Sequence, residues 1–357
     1  MHTKKWVGFF FTFAMVIIVI VSGTNCIINP YNIFGHGLDQ AFQQKPYTLS
    51  DRMSKFYLAN RLKPKTIMMG TSRIGIFPES QLTPYLETPI YNLSLAGSTI
   101  DEQAAYIHYM VKYNHVKHII WSLDFFSFNP TKPIDPTFEP KRLSKSIFLN
   151  DYYVALFNFT TLNRSFQTVI ANRHAPIKTN PVLGQPFTKD QIQFNIRHTL
   201  IEYSGEKTFL NSEIFKEPSS IGSKIALLKQ TIDYCRDHNV SCILYTSPIY
   251  HQHIDMIYGI GLGKTFEHWK KSLAYIQPYI DFCTYTPLSK DIMLFRDSSH
   301  VISDVGELIF ARIFNPNTKS IPNDFGYLVT PLNVDEHLKI ERAQVKPYPL
   351  TISEKKQ

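Results

Sequence analysis

Two segments near opposite ends of the chain carry residue types that could together form a nucleophilic site. In the later segment, Asp297 precedes His300 in an Asp-x-x-His pattern. At this spacing the carboxylate can accept the N–H of the imidazole, and the other ring nitrogen can accept a proton from a hydroxyl group. In the earlier segment, Ser72 follows an apolar run within Gly-Thr-Ser-Arg. Alone, Ser72 would be interpreted as a helix cap and Asp297 as a turn residue; together with His300 they predict a catalytic triad.

Strands and helices must bring these distant segments together, and the chain alternates them as a parallel α/β sheet requires. Apolar runs predict strands at 66–69, 90–95, 118–123 and 242–246, with a weaker one at 280–285. Helical apolar spacing occurs at 101–113, 221–236, 265–276 and 305–314. Buried parallel strands with helices on both faces form a three-layer, doubly wound sandwich, whose ligand site lies at the carboxyl ends of its strands. Ser72 follows the first strand and is expected at that edge.

Gly97 and Asp124 follow the second and third predicted strands and are expected at the same edge. Gly97 directly precedes a capping-box pattern formed by Thr99 and Glu102, which predicts the start of a helix. A glycine beside a helix N-terminus offers an unhindered backbone N–H. Gly97 is therefore a candidate donor to an oxyanion.

These motifs resemble those of the SGNH (GDSL-like) hydrolase superfamily, and more closely its membrane-anchored extracytoplasmic branch. The resemblance covers roughly residues 65–129 and 240–314 and implies a flavodoxin-like fold of the SGNH type. It implies that Ser72 is the nucleophile, that Gly97 is an oxyanion donor, and that Asp297 and His300 complete the triad. The branch includes proteins that move acyl groups on cell-envelope polymers.

Two positions depart from the family pattern. The first block reads Gly-Thr-Ser-Arg where the family has Gly-Asp-Ser, so the match rests on the place of Ser72. Asp124 stands where the family supplies an asparagine amide to the oxyanion hole. Because an ionised carboxylate repels an oxyanion, Asp124 is either protonated or has another role. One such role is an ion pair with Arg73 across neighbouring strand ends, which would fix the crevice.

The N-terminus carries an uncharged apolar stretch, Trp6 to Ser22, behind Lys4 and Lys5. It is long enough to cross a bilayer with the help of the residues up to Ile28, and the lysines predict a cytoplasmic N-terminus and an extracytoplasmic remainder. We therefore expect a single-pass signal anchor at 1–28. A cleaved signal peptide is the alternative.

The rest of the chain is expected to form one domain. A linker and lead-in at 29–64 precede an α/β domain at 65–320, which contains a mostly helical, aromatic-rich insertion at about 129–220. A C-terminal extension occupies 321–357. The four cysteines are interpreted as small buried hydrophobic residues, and a disulfide between Cys235 and Cys242 remains open.

Composition narrows the function classes. With 44% hydrophobic and 14% aromatic residues the chain is globular rather than disordered. The formal charge is +8, but the basic residues are spread along the chain and form no long run, so nucleic-acid binding is not expected. Binding to an anionic surface stays an alternative. His251 and His253 lack further ligands at metal-binding spacing and are expected at the mouth of the crevice. No metal or cofactor is expected.

The sequence thus predicts a membrane-anchored serine esterase or O-acyltransferase whose substrate is an acylated small molecule or envelope polymer. The alternative is a catalytically weak or inactive protein of the same fold that binds envelope glycans or assists assembly. The sequence does not choose between hydrolysis and transfer, and it identifies no protein partner.

Overall fold

The structure, a computed structural model, describes residues 2–35, 41–45, 52–144, 147–173, 187–205, 212–316, 321–346 and 348. Its contacts divide the chain into two compact units. The helical unit comprises Met1–Leu62 and Pro136–Gly184, and the α/β unit comprises Lys63–Asp135 and Gln185–Gln357. The first part of the predicted insertion is therefore grouped with the N-terminal helix.

A six-stranded sheet forms the centre of the α/β unit. Its strands are β1 (Thr66–Met69), β2 (Ile90–Asn92), β3 (His118–Leu123), β4 (Ser241–Thr246), β5 (Tyr279–Asp281) and β6 (Tyr327–Val329). They lie in the order β2-β1-β3-β4-β5-β6. The first five strands are parallel, and β6 pairs antiparallel with β5. The prediction of an α/β protein with a parallel sheet is confirmed for five strands, whereas β6 was not predicted.

Both units contain helices. They are α1 (His2–Ile28), α2 (Arg52–Leu62), α3 (Ser72–Gly75), α4 (Ile100–Tyr109), α5 (Leu149–Phe157), α6 (Phe159–Arg173), α7 (Lys189–Ser204), α8 (Glu213–Lys216), α9 (Gly222–Asp237), α10 (His251–Gly259), α11 (Gly263–Ile276), α12 (Pro287–Lys290), α13 (Val305–Phe314) and α14 (Val334–Arg342).

Burial explains why the central strands can be predicted from the sequence. Every residue of β1 is buried, and β3 is buried after its first residue, so both appear as continuous apolar runs. Helix α4 begins where the capping box predicted, since the Thr99 side chain accepts from the Glu102 N–H and Glu102 accepts from the Thr99 N–H. Helices α4 and α9 pack together beside the sheet.

A buried lysine joins the C-terminal part of the chain to the sheet. Lys270 of α11 places its Nζ 2.9 Å from Asp281 Oδ2 in β5 and 2.5 Å from Glu341 Oε2 in α14. His337, also in α14, contacts Asp281 through Nε2 at 2.8 Å. Burial lowers the pKa of Lys270, but the two carboxylates outweigh it and hold that pKa above its usual range. The ammonium is therefore charged and ties α11, β5 and α14 together.

In the helical unit, α1 packs against α5 and α6. Lys4–Ile28 is long and apolar enough to span a membrane. Burial within the unit begins at Val21, and the residues from Lys4 to Ile20 are exposed apart from Ala14, which is partly exposed. The same unit contains a buried ion pair between Arg142 and Asp151.

None of the four cysteines, all of which lie among the described residues, forms a disulfide. Cys235 and Cys283 are buried, as small hydrophobic residues would be.

Candidate active site

Ser72 is positioned by a tight turn at the end of β1. Gly70 has φ +150°, and a Cβ on it would lie 2.8 Å from the carbonyl oxygen of Ser122 in the neighbouring strand β3. Only glycine fits there without strain. Thr71 then caps α3 by accepting a hydrogen bond from the Arg73 N–H, so Ser72 becomes the first residue of that helix.

The structure brings Ser72, His300 and Asp297 into one hydrogen-bonded chain. Ser72 Oγ lies 2.8 Å from His300 Nε2, although the two residues are 228 positions apart. His300 Nδ1 lies 2.9 Å from Asp297 Oδ2. The side chains of His300 and Asp297 are 26% and 24% exposed, so the base can be reached from solvent. This is the order of contacts that a serine nucleophile, its base and an orienting carboxylate require.

Asp297 is held in its ionised form by its surroundings. Burial would raise its pKa, but the His300 ring and the backbone N–H groups of Ser299 and His300 lower it by more, and the net pKa lies below the usual value. The two N–H groups donate to Oδ1 at 2.6 and 2.8 Å. An ionised Asp297 can keep the Nδ1 proton on His300 and leave Nε2 to accept from Ser72.

Asp124 forms the ion pair with Arg73 that the sequence suggested. Arg73 Nη1 lies 2.9 Å from Asp124 Oδ1, with side-chain exposures of 7% and 0%. Thr71 Oγ1 donates to the other carboxylate oxygen at 2.5 Å. Burial lowers the pKa of Arg73, but the charge and hydrogen bond of Asp124, together with the nearby Tyr203 and Cys283, outweigh burial and the pKa is raised. Both oxygens of Asp124 are therefore occupied in fixing the ends of β1 and β3.

Arg73 also contacts the loop that carries the base. Its Nε donates to Ser299 Oγ at 3.0 Å, and its guanidinium lies 5.0 Å from the centre of the Phe126 ring. One side chain thus joins the serine turn, Asp124 and the histidine loop. This link between Arg73 and Ser299 was not predicted, because nothing in the local sequence pairs two residues so far apart.

Gly97 lies at the turn between β2 and α4 with φ +61°. No heavy atom lies within 4 Å of the position that a Cβ would take, so the space beside Gly97 is open. Its carbonyl oxygen accepts a hydrogen bond from Lys132 Nζ, which also lies 4.3 Å from the centre of the Phe126 ring. The role of Gly97 as an oxyanion donor stays a prediction.

His253 and Tyr203 support the histidine loop from behind. His253 Nδ1 lies 3.0 Å from Ser298 Oγ, and the ring of Tyr203 packs at 4.9 Å against the His253 ring. Burial, with the nearby Arg73 charge, lowers the pKa of His253 to about 3, so it is neutral. The expectation that His253 lines the mouth of the crevice is wrong, because this side chain is only 2% exposed. Nothing in the local sequence links His253 to Ser298, which lies 45 positions later in the chain.

Behind Arg73 the α/β unit contains a partly open pocket of about 10 Å³, lined mainly by apolar side chains that include Phe125, Phe126 and Trp269. This volume holds about one water molecule. The pocket is therefore too small to hold an acyl ester.

The only group of potential metal ligands found among the described residues lies elsewhere. Ligand atoms of Asp281, His337 and Glu341 lie within 4.8 Å of one another. The Lys270 ammonium contacts both carboxylates and occupies the place that a cation would take. This group does not fit a metal.

No model of a known protein family matches the chain, and a search of curated proteins finds no match.

Proposed function

We propose that the protein is a membrane-anchored serine esterase or O-acyltransferase of the SGNH type that acts on an acyl ester of a cell-envelope polymer. The observation that supports it is the hydrogen-bonded chain from Ser72 through His300 to Asp297. Composition supports an anionic or envelope-bound substrate only in general terms, through the charge of +8 and the apolar N-terminal helix.

The strand order supports the fold assignment. The order β2-β1-β3-β4-β5 reverses direction between β1 and β3, as in flavodoxin-like sheets, where ligands bind at this reversal. Asp124 directly follows the end of β3, and Ser72 is the third residue after the end of β1. The candidate nucleophile thus lies at the position in the sheet where a doubly wound fold places its ligand.

The reaction would proceed through an acyl-serine. His300 Nε2 accepts the Ser72 Oγ proton while Oγ attacks the acyl carbonyl carbon, and Asp297 stabilises the resulting imidazolium. Collapse of the tetrahedral intermediate breaks the ester bond, and the imidazolium gives its proton to the departing alkoxide. Water or a sugar hydroxyl then attacks the acyl-serine with His300 again as base, which releases the acyl group and restores Ser72.

The oxyanion would be stabilised by backbone donors, with Gly97 N–H as the candidate. Asp124 cannot replace the side-chain amide of the family, because an ionised carboxylate has no N–H to donate. Both its oxygens accept hydrogen bonds, from Arg73 and Thr71. Loss of one such donor costs about 100- to 1,000-fold in rate in other enzymes. We therefore expect slow turnover.

A serine-reactive fluorophosphonate probe tests this function on the full chain in detergent. We expect labelling of the wild type that is lost in Ser72→Ala and reduced at least about 100-fold in His300→Ala, since the nucleophile or its base is removed. Ser80→Ala, at an exposed serine eight positions after Ser72, is the matched control and should label normally. Labelling that persists in Ser72→Ala would contradict the proposal.

The carboxylate at position 124 favours a second candidate, a binding or assembly protein that has lost efficient catalysis. This candidate is supported if the folded wild type remains unlabelled over the mildly acidic to alkaline range while an envelope glycan raises its melting temperature.

A further inference from the structure

We propose that the outward faces of α5 and α6 lie in the lipid bilayer beside α1, so that the helical unit is embedded by three helices instead of one. The proposal rests on the proposed membrane anchor but goes beyond the proposed enzymatic function. The occupant is lipid, at the depth where acyl chains meet the headgroups.

Helix α6 buries small polar residues and exposes large apolar ones, which is the reverse of the arrangement in a helix of a water-soluble protein. Its buried face is formed by Thr161, Ser165 and Thr168. Its exposed face carries Phe159, Phe166 and Ile170, which are 67%, 56% and 55% exposed, together with Asn163 and the terminal Arg173. Small polar residues between helices and large apolar residues outside are typical of helices that pack within lipid.

Helix α7, in the α/β unit, provides the comparison. It buries Ile192, Ile196 and Leu200 along one face, as expected of an amphipathic helix in water. The buried face of α6 is therefore polar, whereas that of α7 is apolar.

Helix α5 extends the apolar face. Leu149, Tyr153 and Phe157 follow one another at helical spacing and are all exposed, with Leu149 the most exposed at 75%. Its buried residues are Asp151 and Ala155, and Asp151 is neutralised by Arg142 at 2.6 Å. The outward face of α5 thus presents no charge to its surroundings.

Four polar side chains between the helices, those of Asn25, Thr161, Ser165 and Thr168, find partners within the helical unit, as a lipid environment demands. Ser165 Oγ donates to Asn25 Oδ1 of α1 at 3.0 Å, and Asn25 Nδ2 donates to the carbonyl of Leu156 at 2.9 Å. Thr161 and Thr168 donate to the carbonyls of Val154 and Arg164 at 2.8 and 2.9 Å.

The contact with α1 sets how deep α5 and α6 lie in the bilayer. From Trp6 to Asn25 an α-helix rises about 30 Å, the thickness of the hydrocarbon core. Asn25, which is completely buried, therefore lies at the far boundary of the core, where the junction of α5 and α6 contacts it. The exposed part of α1 and the apolar faces of α5 and α6 thus meet the same lipid.

Site-directed bimane labelling in proteoliposomes tests the proposal on the full chain, in a parent variant with the partly exposed Cys26 and Cys242 replaced by alanine. Bimane is attached at Phe166→Cys and, as a second position, at Ile170→Cys. Phe13→Cys reports on α1, and Lys229→Cys, on α9, is the water control. Brominated lipids quench bimane in the bilayer, whereas iodide quenches it in water.

We expect brominated lipids to quench the labels at positions 13, 166 and 170 at least about twofold, and iodide to quench only the label at 229. Iodide quenching at 166 and 170 equal to that at 229, with lipid quenching retained at 13, would overturn the proposal and leave the anchor intact. Iodide quenching at 13 as well would overturn the anchor too. Protection of 166 and 170 from both quenchers would overturn the proposal in favour of a protein partner.

Discussion

The Arg73 guanidinium contacts Asp124 through Nη1 and Ser299 through Nε. Since Arg73 follows Ser72 directly, these contacts fix the turn of the candidate nucleophile against both β3 and the histidine loop. Asp124 is thereby a positioning residue, which accounts for a carboxylate in the place where the resembling family has an amide.

Asp124→Asn would restore the amide of the family, but we expect it to destabilise the protein by about 3–5 kcal/mol. The substitution leaves the buried Arg73 charge without its counter-ion. The midpoint of thermal unfolding in detergent measures the effect.

The double variant Arg73→Met/Asp124→Asn is the control for this pair. It removes both charges, so its loss of stability should be smaller than the sum of the two single losses. Strictly additive losses would show that the ion pair does not contribute to stability.

The neutral state of His253 predicts a pH dependence of stability. Its pKa falls from the usual 6.5 to about 3 on folding. Below about pH 6.5 His253 is therefore protonated in the unfolded chain but stays neutral in the folded chain. Stability from this group is complete above about pH 6.5 and declines by about 1.4 kcal/mol per pH unit as the pH falls towards 3.

Replacement by His253→Gln should remove that slope. Between about pH 6.5 and 5 we expect the wild type to lose about 2 kcal/mol more than the variant, measured by denaturant unfolding at the two pH values. Parallel losses in the two proteins would contradict a neutral His253.

The residues of the candidate triad could be predicted from a serine after a strand and an Asp-x-x-His loop before a helix. The pairing of Arg73 with Asp124 could be predicted from their places after neighbouring strands. The sequence did not indicate the supporting contacts of Ser298, Ser299 and Tyr203. The contacts of Ser298 and Tyr203 depend on how α7 and α10 pack behind the loop, and that of Ser299 depends on how close the loop lies to Arg73. A serine or tyrosine alone does not specify its partner.

At the scale of elements, β6 and α14 show how the chain after residue 320 completes the α/β unit. Strand β6 borders β5, and α14 supplies Glu341 and His337 to the cluster around Lys270. Neither element was predicted. Strand β6 is only three residues long and two of them are exposed, so it lacks the apolar run that revealed β1 and β3.

Lys270→Met should destabilise the protein by about 3–5 kcal/mol, because it leaves the buried Asp281 and Glu341 without their shared cation. Lys271→Met is the matched control, since Lys271 pairs with Asp335 at the surface and its loss should lower the melting temperature much less. Melting temperatures compare the two variants, and equal shifts would contradict a structural role for Lys270.

For the whole molecule, Lys4 and Lys5, which precede the apolar stretch of α1, predict the orientation of the chain in the membrane. A cysteine at Lys229 should react with a membrane-impermeant maleimide in intact cells, whereas one at Thr3 should react only after permeabilisation. Native cysteines are replaced by alanine in both. The reverse pattern would place the α/β unit in the cytoplasm.

The distance along the chain between Ser72 and His300, 228 positions, has a consequence for biosynthesis. A nascent polypeptide that has not yet reached residue 297 possesses the hydroxyl but neither the imidazole nor the carboxylate. Such a precursor is latent, because its serine has no base. Reactivity would switch on only when the segment with Asp297 and His300 has been made and has closed against the end of the first strand.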